Sequence, residues 1–135
     1  MPTVLNLSAT AQLTVRSATP EALEVEARYS AGSPQPPLHL HPEQDEHFTI
    51  LEGAITALVD GEEHEYRAGE WFTVPRATPH TMWNSGDMEA RVTWRTEPAL
   101  DTLGWFAALD AAHRSGDYEA LGEAAQAHQR EFRLA

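Results

Sequence analysis

Short runs of alternating apolar and polar residues cover the chain from about residue 11 to residue 97. The runs QLTVRSA (12–18) and EALEVEARYSA (21–31) show this alternation clearly, and turn-forming residues separate the later runs. A period of two places successive side chains on opposite faces of a strand. Many short strands at a spacing of roughly eight to twelve residues predict an all-β sandwich or barrel. We therefore expect residues 1–97 to form a small antiparallel β-barrel.

Glycine and proline mark the expected turns. Asp60-Gly61, between two alternating runs, is a strong hairpin signal, and Gly53 and Gly69 are expected to turn the chain between other strands. The segment GSPQPP (32–37) contains three prolines, which remove backbone donors and fix φ. This segment is therefore expected to be a loop that leads into Leu38.

The period changes after Pro98. The segment that ends at Gly116 is rich in alanine and leucine, and this glycine is a plausible helix C-cap. Asp117 can cap a second helix, in which apolar residues recur at helical spacing as far as Phe132. We expect residues 98–135 to form a helical hairpin that packs on the barrel or on a partner subunit.

Composition and charge exclude several classes of function. The net charge is −12, all basic residues are arginine, and the chain has no cysteine. Nucleic acid is therefore an unfavourable partner, and disulfides, thiolate ligands and a Schiff-base lysine are excluded. We find neither a basic signal-peptide n-region nor eighteen consecutive apolar residues, so we expect a cytoplasmic protein without a membrane segment.

Two histidines and a carboxylate lie close together in the segment HLHPEQDEHFTILEG (39–53). His39 and His41 share one face of a strand, about 6.5–7 Å apart along the backbone. Glu46 shares its parity with Phe48, so an inward Glu46 lies at the polar end of an apolar interior and needs a compensating charge. With His80, these residues would suit a divalent Fe, Mn, Ni, Zn, Co or Cu ion. A histidine pair on a strand is also compatible with surface polarity or with core packing.

The spacing of these residues resembles the first motif of the cupin superfamily, G(X)5HXH(X)3,4E(X)6G. Gly32 begins the motif with six intervening residues instead of five. His39, His41, Glu46 and Gly53 then follow at the family spacing.

Residues 69–84 resemble the second cupin motif, G(X)5PXG(X)2H(X)3N. Gly69, Pro75, His80 and Asn84 match the pattern, whereas Ala77 stands where the family usually has glycine. The resemblance covers roughly residues 11–97.

The resemblance implies a mainly β fold, the cupin double-stranded β-helix or jelly roll. It also implies one divalent metal ion held by His39, His41, Glu46 and His80. Dioxygenase-like cleavage and isomerisation are both known uses of such a site, and Glu46 could serve as the catalytic base. Sheet edges, aromatic residues and the habit of the family suggest a homodimer.

The substrate would be a small molecule. Phe48, Met82 and Trp94 are the preferred walls of a substrate pocket, while Arg28 and Arg95 could either pair with an anionic substrate or lie on the strand surface. The remaining histidines lie off the motifs and are expected at the surface; they are His47, His64, His113 and His128. Two functions remain open, a small metalloenzyme and a non-catalytic cupin that binds a metal or a small molecule.

Overall fold

The computed structural model describes residues 3–135, which form two antiparallel sheets and a pair of helices. In chain order the strands are β1 (Val4–Asn6), β2 (Ala11–Ala18), β3 (Leu23–Tyr29), β4 (His39–Leu40), β5 (Asp45–Glu52), β6 (Ala54–Val59), β7 (Glu62–Arg67), β8 (Trp71–Val74), β9 (His80–Trp83), β10 (Ala90–Glu97) and β11 (Arg133–Leu134). One sheet has the order β1-β2-β3-β10-β5-β8 and the other has the order β11-β4-β9-β6-β7. The mainly β, jelly-roll arrangement predicted from the sequence is confirmed. It consists of two packed sheets rather than one continuously hydrogen-bonded cylinder.

The inner faces of the two sheets form the hydrophobic core. Along β5 the side chains alternate as the sequence predicts, so that Glu46, Phe48 and Ile50 are buried whereas Thr49 is exposed. Ile55 and Ala57 of β6 supply buried side chains from the other sheet to the same core. Glu46 therefore points toward the core, and its carboxylate needs compensation there.

Glycines occupy the expected turns. Asp60 and Gly61 have φ angles of 50° and 83°, and they connect the paired residues Val59 and Glu62 in a tight hairpin. Gly53 has φ 72°, and a Cβ atom at this position would lie 2.6 Å from the Glu89 carbonyl oxygen. Glycine is thus required at residue 53 both by backbone conformation and by the neighbouring chain.

The two predicted helices are present as α1 (Thr102–Ser115) and α2 (Tyr118–Ala127). Gly116 ends α1 in a left-handed conformation, and the Asp117 side chain accepts a hydrogen bond from the Ala120 backbone amide at the start of α2. No helix in the described part of the chain, residues 3–135, is long and apolar enough to cross a membrane.

The prediction that helical spacing extends to Phe132 is wrong. The second helix ends at Ala127, and the amides of Glu131 and Phe132 both donate to the His128 carbonyl oxygen in a turn. The chain then enters β11, which pairs with β4. Phe132 fitted a helical period by sequence, but its ring packs against the His39 imidazole instead.

Candidate metal centre

Three strands, β4, β5 and β9, bring the predicted ligands to one place. His39 lies on β4 directly opposite His80 on β9, and His41 follows the end of β4. Glu46 lies at the start of β5 in the other sheet. The prolines before residue 38 keep the incoming segment out of the sheet, so that β4 starts at His39 itself.

The three imidazoles form a tight cluster. One nitrogen from each of His39, His41 and His80 lies within 4.8 Å of the others. The Glu46 Oε1 atom lies 3.0 Å from His41 Nε2 and 3.0 Å from His80 Nε2. The structure therefore brings all four sequence-predicted residues together.

Backbone carbonyls orient all three rings. The Nδ1 atoms of His39, His80 and His41 lie 3.0, 2.9 and 2.6 Å from the carbonyl oxygens of Pro37, Thr78 and Glu131, respectively. Because a carbonyl oxygen can only accept, each Nδ1 atom carries the proton. In a neutral ring the Nε2 atom is then left with a lone pair, which is the form that binds a metal ion.

The second carboxylate oxygen of Glu46 holds this side chain in place. Its Oε2 atom accepts a hydrogen bond from the Trp94 indole Nε1–H at 2.7 Å, and the residue is 1% exposed. This contact orients the carboxylate so that Oε1 faces the imidazoles.

Two buried polar atoms at this place have no hydrogen-bond partner among residues 3–135, namely His41 Nε2 and Glu46 Oε1. They are 3.0 Å apart, yet their orientation does not form a hydrogen bond. Two atoms bound at right angles to one ion, each at about 2.1 Å, would be separated by about 3.0 Å. Leaving such groups unpaired costs about 1–3 kcal/mol each. The residues present thus fit a divalent ion.

Burial and charge act in opposite directions on the site. Burial disfavours ionised Glu46, but the charges and close contacts of His41 and His80 outweigh it and hold the Glu46 pKa below its ordinary value. Burial likewise disfavours charged His41, but Glu46 outweighs it and raises the His41 pKa. Burial, with the adjacent His80, lowers the His39 pKa to about 4. At neutral pH Glu46 is therefore anionic and His39 is neutral.

A cavity of about 210 Å³ adjoins the cluster. Phe48, Met82 and Trp94 line it, as predicted for a pocket. The four side chains of the cluster also line it, namely His39, His41, Glu46 and His80. The described lining contains no arginine. It is otherwise mostly apolar, and its further members include Leu7, Tyr29, Trp105, Phe106, Leu109 and Phe132.

The two candidate arginines lie elsewhere. Arg28 is exposed, and its Nη1 atom lies 3.6 Å from Glu89 Oε2. The Arg95 Nε atom lies 3.1 Å from Glu97 Oε1. Of their two alternative roles, the structure favours the one on the strand surface, since neither lines the cavity beside the histidines.

Sequence reasoning missed the residues that enter the site from the C-terminal part of the chain. Trp105 and Phe106 of α1 line the cavity, and the Glu131 carbonyl contacts His41. His128, expected at the surface, is largely buried, and its Nδ1 atom lies 3.1 Å from Glu131 Oε1. The one available signal was the group of aromatic residues in an extension that the ligand motifs do not include.

Residues 25–95 match the family model described as Cupin domain. Among curated proteins, "Oxidoreductase iacF" of Pestalotiopsis fici is 41% identical over 54 residues, covering 39% of this chain and 26% of the relative. "Tetracenomycin polyketide synthase protein TcmJ" of Streptomyces glaucescens is 33% identical over 60 residues, covering 44% of this chain and 40% of the relative. The match thus spans less than half the length of each relative.

Among solved structures, KdgF from Halomonas sp. superposes with a TM-score of 0.68. The two chains are 20% identical, and the superposition covers 75% of this chain and 90% of the other. This likeness concerns the fold.

Proposed function

This chain belongs to the cupin family, and we propose that it is a small metalloenzyme holding one divalent transition-metal ion through His39, His41, Glu46 and His80. One observation carries the proposal: two buried atoms, His41 Nε2 and Glu46 Oε1, lie beside the other imidazoles, and neither has a hydrogen-bond partner among the described residues. The ligand chemistry suits Fe, Mn, Ni, Zn, Co or Cu.

The bound ion would supply Lewis acidity or redox chemistry next to the cavity. The residues of the chain would divide the remaining work. Phe48, Met82 and Trp94 would bind the apolar body of a substrate, and Glu46 would accept or return a proton at Oε1 when this atom is released from the ion. Trp94 would also keep that carboxylate oriented through its bond to Oε2.

The cavity favours a compact and largely uncharged substrate. Its volume of about 210 Å³ is smaller than the roughly 300–1,000 Å³ of pockets for drug-sized ligands. Its described lining lacks arginine, and the chain has no lysine, which disfavours a phosphorylated substrate. The names of two relatives, the oxidoreductase iacF and the tetracenomycin polyketide synthase protein TcmJ, support an oxidoreductase reaction on a small organic compound.

Oxygen uptake by the reconstituted protein tests this proposal. The protein would be loaded separately with Fe(II), Mn(II), Ni(II) and Zn(II), and offered catechol-like and flavonol-like compounds. We expect turnover with at least one redox-active ion, its loss in Glu46→Gln, and its retention in His47→Ala, a matched variant on the opposite face of β5. Absence of bound metal in the wild-type protein contradicts the proposal.

A non-catalytic, metal- or ligand-binding cupin is the second candidate. The observation that favours it is the rigidity of Glu46, which is buried and tied to Trp94 and so is restrained from moving as a base. Tight zinc binding with ligand binding but without turnover for any ion would support this function over the first.

A further inference from the structure

We infer that residues 128–135, here called the C-terminal segment, form part of the metal centre. In this role the Glu131 carbonyl holds the His41 ring and the Phe132 ring holds the His39 ring, so that both present Nε2 to the ion. The inference rests on the proposed metal site and assigns positioning residues to it.

The segment is attached to the strand that carries His39. In β11, Leu134 is the register partner of His39 and Arg133 is that of Leu40. The Ala135 amide donates to the Leu38 carbonyl oxygen at 3.0 Å. The path of the C-terminal segment is therefore set by backbone hydrogen bonds along β4, directly beside the cluster.

A local turn determines where the Glu131 carbonyl points. The amides of Glu131 and Phe132 both donate to the His128 carbonyl at 3.0 Å, and the buried Glu131 side chain contacts His128 Nδ1 at 3.1 Å. The Glu131 carbonyl oxygen is then 2.6 Å from His41 Nδ1. A partner on the second ring nitrogen fixes both the tautomer and the direction of a ligating imidazole.

The Phe132 ring supports His39 from the side. It stacks on the His39 imidazole with a centroid distance of 5.2 Å and an interplanar angle of 26°. It also stacks on the buried Trp105 of α1, with a centroid distance of 4.9 Å. The His39 ring is thus backed by an aromatic pair that connects it to the helices, and it has little room to turn away.

Because one short segment restrains two of the ligands, substitutions that weaken its contacts should release the metal without unfolding the sheets. Substitution of groups that orient metal ligands typically lowers metal affinity or activity about 10- to 100-fold, and we expect a loss of metal affinity of this size here. The effect should appear mainly as faster dissociation, since the ligands themselves remain.

The test measures zinc dissociation into excess chelator, using zinc(II) alone as the probe. We expect Phe132→Ala to release zinc at least about tenfold faster than the wild-type protein. Phe132→Leu, which keeps apolar volume but loses the stack, should lie between them. Tyr118→Ala is the matched control, because this aromatic side chain of α2 is exposed and lies outside the C-terminal segment; it should release zinc at the wild-type rate. His128→Ala removes the side-chain contact with Glu131 Oε1 and keeps both the backbone hydrogen bonds of the turn and the Phe132 ring; it should also accelerate release.

A second readout is independent of activity. In the zinc-loaded protein with ¹⁵N-labelled histidine, the His41 Nδ1–H proton should exchange slowly, and this protection should fall in His128→Ala and in Phe132→Ala. Zinc-release rates within twofold of wild type in Phe132→Leu and His128→Ala, both folded, overturn the inference and leave the proposed function standing. If the wild-type protein retains another of the six candidate ions but not zinc, the same variants are compared with that ion; a wild-type protein that retains none of the six overturns both.

Discussion

The indole of Trp94 offers a sharp test of how the candidate site is organised. In Trp94→Phe the aromatic ring is kept, so contacts with Phe48 and Phe106, at centroid distances of 5.4 and 5.2 Å, are largely preserved. The change removes the Nε1–H donor, which lies 2.7 Å from Glu46 Oε2. The substitution thus isolates one hydrogen bond to a buried carboxylate.

The expected size of the effect follows from that bond. A hydrogen bond to a charged group contributes about 1.5–3 kcal/mol, and every 1.4 kcal/mol is about tenfold in an equilibrium constant. If the indole supplies the orientation of Glu46, metal affinity should fall about 10- to 150-fold. In the metal-free protein the loss of the donor should also raise the Glu46 pKa, because the bond favours the ionised carboxylate.

The assay is a competition for zinc between the protein and a chromophoric chelator at neutral pH. Trp71→Phe serves as the control, since it is the same substitution on β8 at a side chain that is 68% exposed. We expect the Kd of the control to equal that of the wild type. A Kd for Trp94→Phe within twofold of wild type, in a protein with an unchanged fold, would refute the reasoning that Trp94 positions Glu46.

Three further predictions concern stability of the metal-free protein, measured by urea unfolding. The His39 pKa of about 4 lies below the ordinary 6.5, because the folded state disfavours the charged ring. The stability of a fold with neutral His39 is therefore complete above about pH 6.5 and is lost as the pH falls. Between neutral pH and about pH 4, the free energy of unfolding of the wild type should fall by up to about 3 kcal/mol more than that of His39→Gln. An equal loss in the two proteins would contradict this. Gly53→Ala should destabilise the protein by at least about 1 kcal/mol more than Gly61→Ala, because residue 61 has open space whereas a Cβ at residue 53 meets the Glu89 carbonyl oxygen at 2.6 Å; equal effects would count against the clash. Ala77 has φ 61°, so Ala77→Gly should stabilise the protein by up to about 1 kcal/mol, and a clear loss would show that the turn is unstrained.

The alternation of residues within strands was enough to predict much of the fold. Burial of Glu46, Phe48 and Ile50 on one side of β5 follows from their shared parity. The Asp60-Gly61 hairpin follows from backbone conformations that these residues tolerate. Both features depend only on neighbouring residues in the chain, so the sequence was sufficient to predict them.

The motif spacings were equally informative about which side chains converge, although the reason lies in tertiary structure. His39 and His80 are far apart in the chain and become neighbours through the pairing of β4 with β9. The convergence of these ligands was inferred from the resemblance to the cupin family, since parity alone places a residue on a face but not beside a partner strand. At Ala77, where the family usually has glycine, the left-handed turn is retained.

The contribution of the C-terminal segment could not be predicted. The Glu131 contact to His41 is made by a backbone carbonyl, which every residue type carries. Phe132 lies at a position that also fits a helical period, and what decides against the helix is its stacking between His39 and Trp105. Such contacts depend on how the chain returns from the helices to the sheet, and no sequence pattern predicts this tertiary arrangement.

Anomalous scattering from crystals of the metal-reconstituted protein tests the central claim most directly. Data collected at the absorption edge of the added ion should give one strong peak per chain, about 2.0–2.2 Å from the Nε2 atoms of His39, His41 and His80 and from Glu46 Oε1. The same peak should be absent from His39→Ala/His80→Ala crystals. A wild-type map without a peak among these four side chains, or a peak that persists in the double variant, would contradict the account.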